Sequence, residues 1–195
     1  MPRLVFILLT LIIVTACKQK KVSTGLQQVN ETKHDFFPVT QYLLGQLNGL
    51  DSLPVTPLKV TTINGKTDSV WLKRDDVRAF AQPFLKPVID SATWSKYFIE
   101  KSFLDQTINA FTFSYDPDPV NGLPDSVALK RWDVYVDPAT GKVMRVYIVK
   151  QSINPPQTVQ LTWKNGSYCR ITTIAETPGS TPQIKDEQLI WNFNE

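Results

Sequence analysis

The chain has 195 residues, a formal net charge of +3 and a hydrophobic content of 42%. That length suits one domain of ordinary size with a proper apolar core. The near-neutral balance, with basic residues scattered rather than gathered into a stripe, gives no footprint for nucleic acid.

The N-terminus reads Met1-Pro2-Arg3, then an apolar run from Leu4 to Val14 broken only by Thr10, then Thr15-Ala16-Cys17. A basic start, an apolar stretch of about a dozen residues and small residues at the cut make a secretory signal. The run falls short of the roughly 20 apolar residues that a spanning helix needs. Residues 1–16 are therefore predicted to be removed.

The residues Val14-Thr15-Ala16-Cys17 resemble the lipobox of bacterial lipoproteins, with Val in place of the usual leading Leu. The resemblance implies a diacylglycerol on the Cys17 sulfur, cleavage before it and, in most such proteins, acylation of the new amine. One acyl chain holds a protein only marginally and two or three hold it stably, so the lipid bilayer is the first expected partner. Lys18-Gln19-Lys20-Lys21 follow. By the same resemblance, the lack of an Asp after the cysteine implies the outer membrane, and a basic rather than acidic segment implies the leaflet facing the periplasm. Lysines there also suit anionic headgroups.

Residues 18–34 are polar, with isolated Val22, Leu26 and Val29, and read as a flexible tether after Cys17. The globular domain is expected to span 35–195. Val39, Leu43, Leu47 and Leu50 recur at helical spacing over about 36–49, with Asp35 as cap and Gly49 as stop. Leu58–Ile63 alternates like a strand, Asn64-Gly65 signals a hairpin, and Asp68–Leu72 returns. Asp75 and Asp76 open a second helix with Val77, Phe80, Ala81 and Phe84 on one face, bounded by Pro83 and Pro87. Ser91 is expected to cap a third helix carrying Trp94, Tyr97, Phe98 and Lys101 to about Leu104.

From residue 108 the period is two. Ile108–Tyr115, Ser126–Asp137, Lys142–Gln151, Thr158–Lys164, Ser167–Ala175 and Gln188–Phe193 read as strands separated by Gly, Pro or Asn. Asp137-Pro-Ala-Thr-Gly141 and Asn165-Gly166 read as hairpin turns. The predicted fold class is α+β: N-terminal helices packed on a curved, mainly meandering antiparallel sheet of six to eight strands. Asp68–Arg74 echoes Asp125–Arg131, but the segments that follow diverge, so no duplication is inferred. The hairpin Val134–Val146 is similar to those of small PepSY-type envelope domains. The order of elements resembles the half-barrels of lipoprotein carriers. Neither likeness carries a function.

Catalytic chemistry is sparse. The only histidine, His34, lies at the end of the tether, where a base held rigidly against a nucleophile is not expected. Two cysteines and one histidine do not make a zinc cluster, and no glycine-rich phosphate loop occurs. No cofactor and no metal are therefore expected. With Cys17 lipidated, Cys169 has no partner in the chain and reads as a buried, inert thiol. Asp116, Asp118 and Asn121 offer oxygen atoms that a calcium ion could use, but in a Pro-rich loop they read first as turn formers.

The aromatic residues give the one positive indication. Trp132, Trp163, Trp191 and Tyr147 fall in predicted strands and are the candidate ligand-facing residues, forming an apolar or sugar-stacking groove if they share an uncovered face. The competing reading places them in the core. A membrane-anchored, non-catalytic binding or interaction module with an envelope protein, lipid or glycan partner is the expected function. A carboxylate-dependent glycan hydrolase is the alternative.

Overall fold

The computed structural model describes residues 35–176 and 179–194. The predicted export signal, Cys17, the predicted tether and His34 lie outside them. The elements in chain order are α1 (Val39–Ser52), β1 (Leu58–Ile63), β2 (Lys66–Trp71), α2 (Arg74–Leu85), α3 (Ser91–Trp94), β3 (Phe98–Asp105), β4 (Ala110–Pro117), β5 (Leu129–Val136), β6 (Val143–Ile153), β7 (Pro156–Lys164), β8 (Tyr168–Ala175) and β9 (Gln183–Ile190). All belong to one compact unit, Asp35–Glu195. None of the described helices is long and apolar enough to cross a membrane.

The strands form one antiparallel sheet of nine, in the order β2-β1-β9-β8-β7-β6-β5-β4-β3. Strands β3 to β9 are a continuous meander, and the β1–β2 hairpin docks on β9. The count exceeds the expected six to eight because β3 occupies the segment read as the end of a helix. Trp94, Tyr97, Phe98 and Lys101 have helical spacing, yet the helix stops at Trp94. From Phe98 to Asp105 all eight residues pair with β4. That pairing satisfies backbone groups that β4 would otherwise leave bare, and tertiary pairing overrides a short local pattern. The helices are also not gathered at the start: the β1–β2 hairpin separates α1 from α2 and α3.

Local boundaries shift for identifiable reasons. Helix α1 begins after Pro38, whose ring suits a helix start, and Asp35 does not cap it. It runs past Gly49 because Leu50 buries one turn further on, and Ser52 Oγ donates to Gly49 O at 2.6 Å. Asp90, rather than Ser91, caps α3 by accepting from Thr93 N–H at 2.8 Å. Ser91 Oγ instead accepts from Phe36 N–H at 2.6 Å, fixing where the chain enters the domain. Strand β9 starts at Gln183 and ends before Trp191.

One face of the sheet is covered by helices. Val39, Leu43 and Leu47 of α1 and Val77, Ala81 and Phe84 of α2 share a core with Trp132, Val134, Ile148, Leu161, Trp163 and Cys169. Trp132 stacks on Tyr115 at 4.7 Å and 11° and meets Phe98 at 4.7 Å. Phe84 meets Trp163 edge-on at 5.5 Å. Lys150 closes the end of α2 by donating to Pro83 O and Lys86 O, carbonyls that the helix itself leaves without partners. Burial pushes its ammonium down to about 8.

Candidate functional site

The other face of the sheet carries no helix among the described residues. Its composition follows from strand parity: in β5, Trp132 and Val134 point to the core, so Arg131, Asp133 and Tyr135 point away. Register then joins such positions into rows. A row near one end of the sheet crosses all nine strands: Trp71, Leu58, Ile190, Tyr168, Lys164, Arg145, Tyr135, Thr112 and Phe103 are successive cross-strand partners. Nine strands at ~4.8 Å spacing make this row about 38 Å long.

At its middle is a cavity of about 200 Å³ lined by Ile108, Tyr135, Met144, Arg145, Lys164 and Tyr168. The Arg145 guanidinium lies 4.0 Å over the Tyr135 ring, and the Lys164 ammonium lies 5.9 Å from the Tyr168 ring. Burial pushes the Tyr135 hydroxyl up, with the Asp133 charge adding to it and Arg145 opposing. The described partner of Arg145 is thus Tyr135, through its ring and through its hydroxyl.

The next rows carry a polar network. Asp133, with a side chain only 2% exposed, accepts from Arg131 Nε at 3.1 and 3.2 Å and from Nη2 at 3.1 Å, and the Tyr135 hydroxyl lies 3.5 Å from it. Arg131 Nε also lies 3.8 Å from Asp116, which pairs with Lys101 at 3.1 Å. Beside Asp133, the hydroxyls of Thr112 and Ser114 are buried without a hydrogen-bond partner. They are small residues of β4 set opposite larger ones, Phe103 and Tyr135 for Thr112, Lys101 and Asp133 for Ser114. A larger hollow of about 560 Å³ lies along the β1–β2 hairpin, lined by Lys59, Thr61, Ile63, Lys66, Asp68 and Val70. It has no aromatic wall, and the Lys59 charge is taken by Glu187 at 2.8 Å, which makes it the weaker candidate.

The expected aromatic groove is corrected by this geometry. Trp132, Trp163 and Trp191 are buried in the core, because their parity matches that of Val134, Val146 and Leu161 rather than that of the open face. Tyr147 alone of the four lies on the open face, half-buried and paired across to Asp133. Burial pushes its hydroxyl up, with Asp133 adding and Arg131 opposing. Cys169 is buried at the core beside Ile171, and burial pushes its thiol well up. Asp118 accepts from Val120 N–H at 2.8 Å and from Asn121 Nδ2 at 2.5 Å, which makes it a turn former. Asp116 is committed to Lys101 and Arg131. Among the described residues, no group of three or more His, Cys, Asp or Glu side chains is placed to hold a metal.

The residues singled out by sequence for ligand contact therefore missed Arg145 and Lys164. Arg145 shares the parity of Tyr147 within β6, and Lys164 faces Tyr168 across the Asn165-Gly166 turn; these were the available signals. No protein-family model matches the chain, and neither does any curated protein or solved structure.

Proposed function

We propose that the chain is a lipid-anchored protein of the cell envelope acting as a non-catalytic binding module. In this reading residues 1–16 direct export, and acyl chains on Cys17 hold the protein in the outer membrane facing the periplasm. The open face of the sheet takes the ligand. The observation that carries the binding reading is the convergence of Arg145, Tyr135 and Tyr168 on one cavity of the face that no described helix covers. A few placed polar groups set among aromatic walls are the usual material of a binding site.

The glycan-hydrolase alternative needs an acid and a base facing each other across a cleft. Asp116 and Asp133 share the open face, but the same Arg131 engages both. That arrangement favours an ion-pair network over catalysis.

The anchor is tested by labelling cells with an alkyne fatty acid. Wild-type protein is expected to take the label and Cys17→Ser to lose it. The binding reading is tested by purifying the protein from native membranes and analysing bound lipids and glycans by mass spectrometry. A species retained by wild type and lost with Arg145→Ala supports it; recovery of nothing above background sinks it.

A further inference from the structure

Four aromatic rings among the described residues are exposed: Trp71 at 59%, Phe103 at 50%, Phe111 at 44% and Phe193 at 56%. All four lie at the same rim of the sheet. Trp71 and Phe103 are the two ends of that row on the open face; Phe111 pairs with Leu104 at the same rim but has the parity of the helix-covered face, and Phe193 meets Trp71 edge-on at 6.0 Å. The opposite rim, with the Asn64-Gly65 and Asn154-Pro155 turns, exposes aliphatic Ile63 and Ile153 but no ring. The cationic cavity sits midway along the aromatic rim, with Met144 and Ile108 exposed at its mouth.

We propose that this rim rests on an anionic phospholipid surface, with a headgroup phosphate in the Arg145 cavity and the flanking rings in the interfacial layer. The inference rests on reading the row as a binding site, and it names the ligand; it does not depend on acylation of Cys17. Three observations support a bilayer as occupant. Aromatic rings beside cations match the chemistry of a membrane interface, where amphipathic rings sit at headgroup level and cations meet anionic lipid. A row that crosses nine strands, about 38 Å along the sheet, is far too extended for a single small-molecule site. The cavity, at about 200 Å³, is below the roughly 300–1,000 Å³ of sites for drug-sized ligands and fits a single anionic group.

The test uses the chain from residue 17 onward with Cys17→Ser, which carries no acyl group and keeps every described helix, strand and core residue. It is sedimented with vesicles of phosphatidylcholine alone or mixed with phosphatidylglycerol. Binding to the mixed vesicles is expected to be stronger, and Arg145→Gln is expected to weaken it by about fivefold, the share of one cation at such a surface. Trp71 is the one exposed tryptophan among the described residues, so its fluorescence should be quenched by brominated lipid, and Phe103→Ser with Phe111→Ser should reduce that quenching. These positions are exposed, and an unchanged thermal midpoint checks that the variants fold.

The proposal is overturned if neither vesicle retains the chain, or if retention ignores both lipid charge and Arg145→Gln. It is equally overturned if soluble glycerol phosphate saturates the site and abolishes retention at the affinity of the lipid, which makes the ligand a free anion. Dimerisation that hides Trp71 from acrylamide without lipid would make the rim an interface between copies, and would overturn it as well. Loss of acyl labelling in wild type with vesicle binding intact would remove the anchor and leave this inference standing.

Discussion

Replacing Trp132 separates the core reading of the strand tryptophans from the ligand-facing one. The side chain is fully buried, stacked on Tyr115 and in contact with Phe98, and Phe36 lies 5.9 Å away. Trp132→Ala therefore removes a large buried ring and three ring contacts. It is expected to cost ~5 kcal/mol, the upper end for such a truncation. For a domain of this size that is a fall in Tm of about 10–20 °C. Trp132→Phe behaves differently. It gives up part of the ring, at ~1–2 kcal/mol by the methylene scale. It also removes an indole N–H that is buried with no hydrogen-bond partner, relieving a desolvation penalty of ~1–3 kcal/mol. The two terms nearly cancel, so Trp132→Phe should lie within about 1 kcal/mol of wild type. Guanidinium unfolding followed by far-ultraviolet circular dichroism measures both, provided the slope m is unchanged. A Trp132→Phe cost near that of Trp132→Ala would refute the argument about the indole N–H. A Trp132→Ala cost below ~1 kcal/mol would refute the packing argument itself.

Three further predictions follow from the charged groups. Arg131→Met leaves Asp133 buried and uncompensated; because Arg131 is 47% exposed, the cost should be at or below the ~3–5 kcal/mol of breaking a buried pair. Adding Asp133→Leu should recover most of it, and equilibrium unfolding of the three variants measures the coupling. Lys150 is pushed down to about 8 by burial, so above that pH the folded state binds fewer protons than the unfolded one. Stability is therefore expected to rise between about pH 8 and the ordinary lysine range, and Lys150→Met should abolish the rise in thermal midpoint. At the acid end, burial pushes the Asp186 carboxyl up, but hydrogen bonds from Arg170 and Thr172 outweigh it and hold the group below the usual range. Its contribution is complete above the unfolded carboxylate range and is lost as pH falls through the folded value. Arg170→Ala should flatten the acid limb of a midpoint-against-pH curve.

The parts of the fold legible in the sequence were those where local signals agree. Leu58–Ile63 is found as expected, because alternation and the Asn64-Gly65 turn agree. The turn at Asp137–Gly141 is likewise found: Asp137 Oδ1 accepts from Ala139 N–H at 2.7 Å and Gly141 takes a φ of +66°. The misreading at Phe98–Asp105 arose where a helical spacing is the one local pattern. Trp94, Tyr97, Phe98 and Lys101 satisfy a helical spacing, while no apolar alternation marks a strand over Phe98–Asp105, where Glu100 to Leu104 are all exposed. Only the presence of β4 alongside makes the segment a strand. No local signal contains that partner.

The site was less legible than the fold, and the reason is the difference between parity and register. Within β5, alternation separates Trp132 from Tyr135, and the apolar company of Trp132 marks its side as the core. Hydrophobicity scales favour tryptophan as a ligand platform and as core material alike, so the ring drew attention to the wrong face. What makes Tyr135 part of a site is its alignment with Arg145, Lys164 and Tyr168, and behind them with Trp71 and Phe103 at the two ends of the sheet. That alignment depends on eight successive registers. A slip of one residue in any of them would exchange the faces beyond it and scatter the row. The burial of Trp132, Trp163 and Leu161 guards against that slip, since each would be turned out of the core. The helix-covered face thus fixes the geometry of the open one, and a substitution that loosens the core should blur the row before it unfolds the domain.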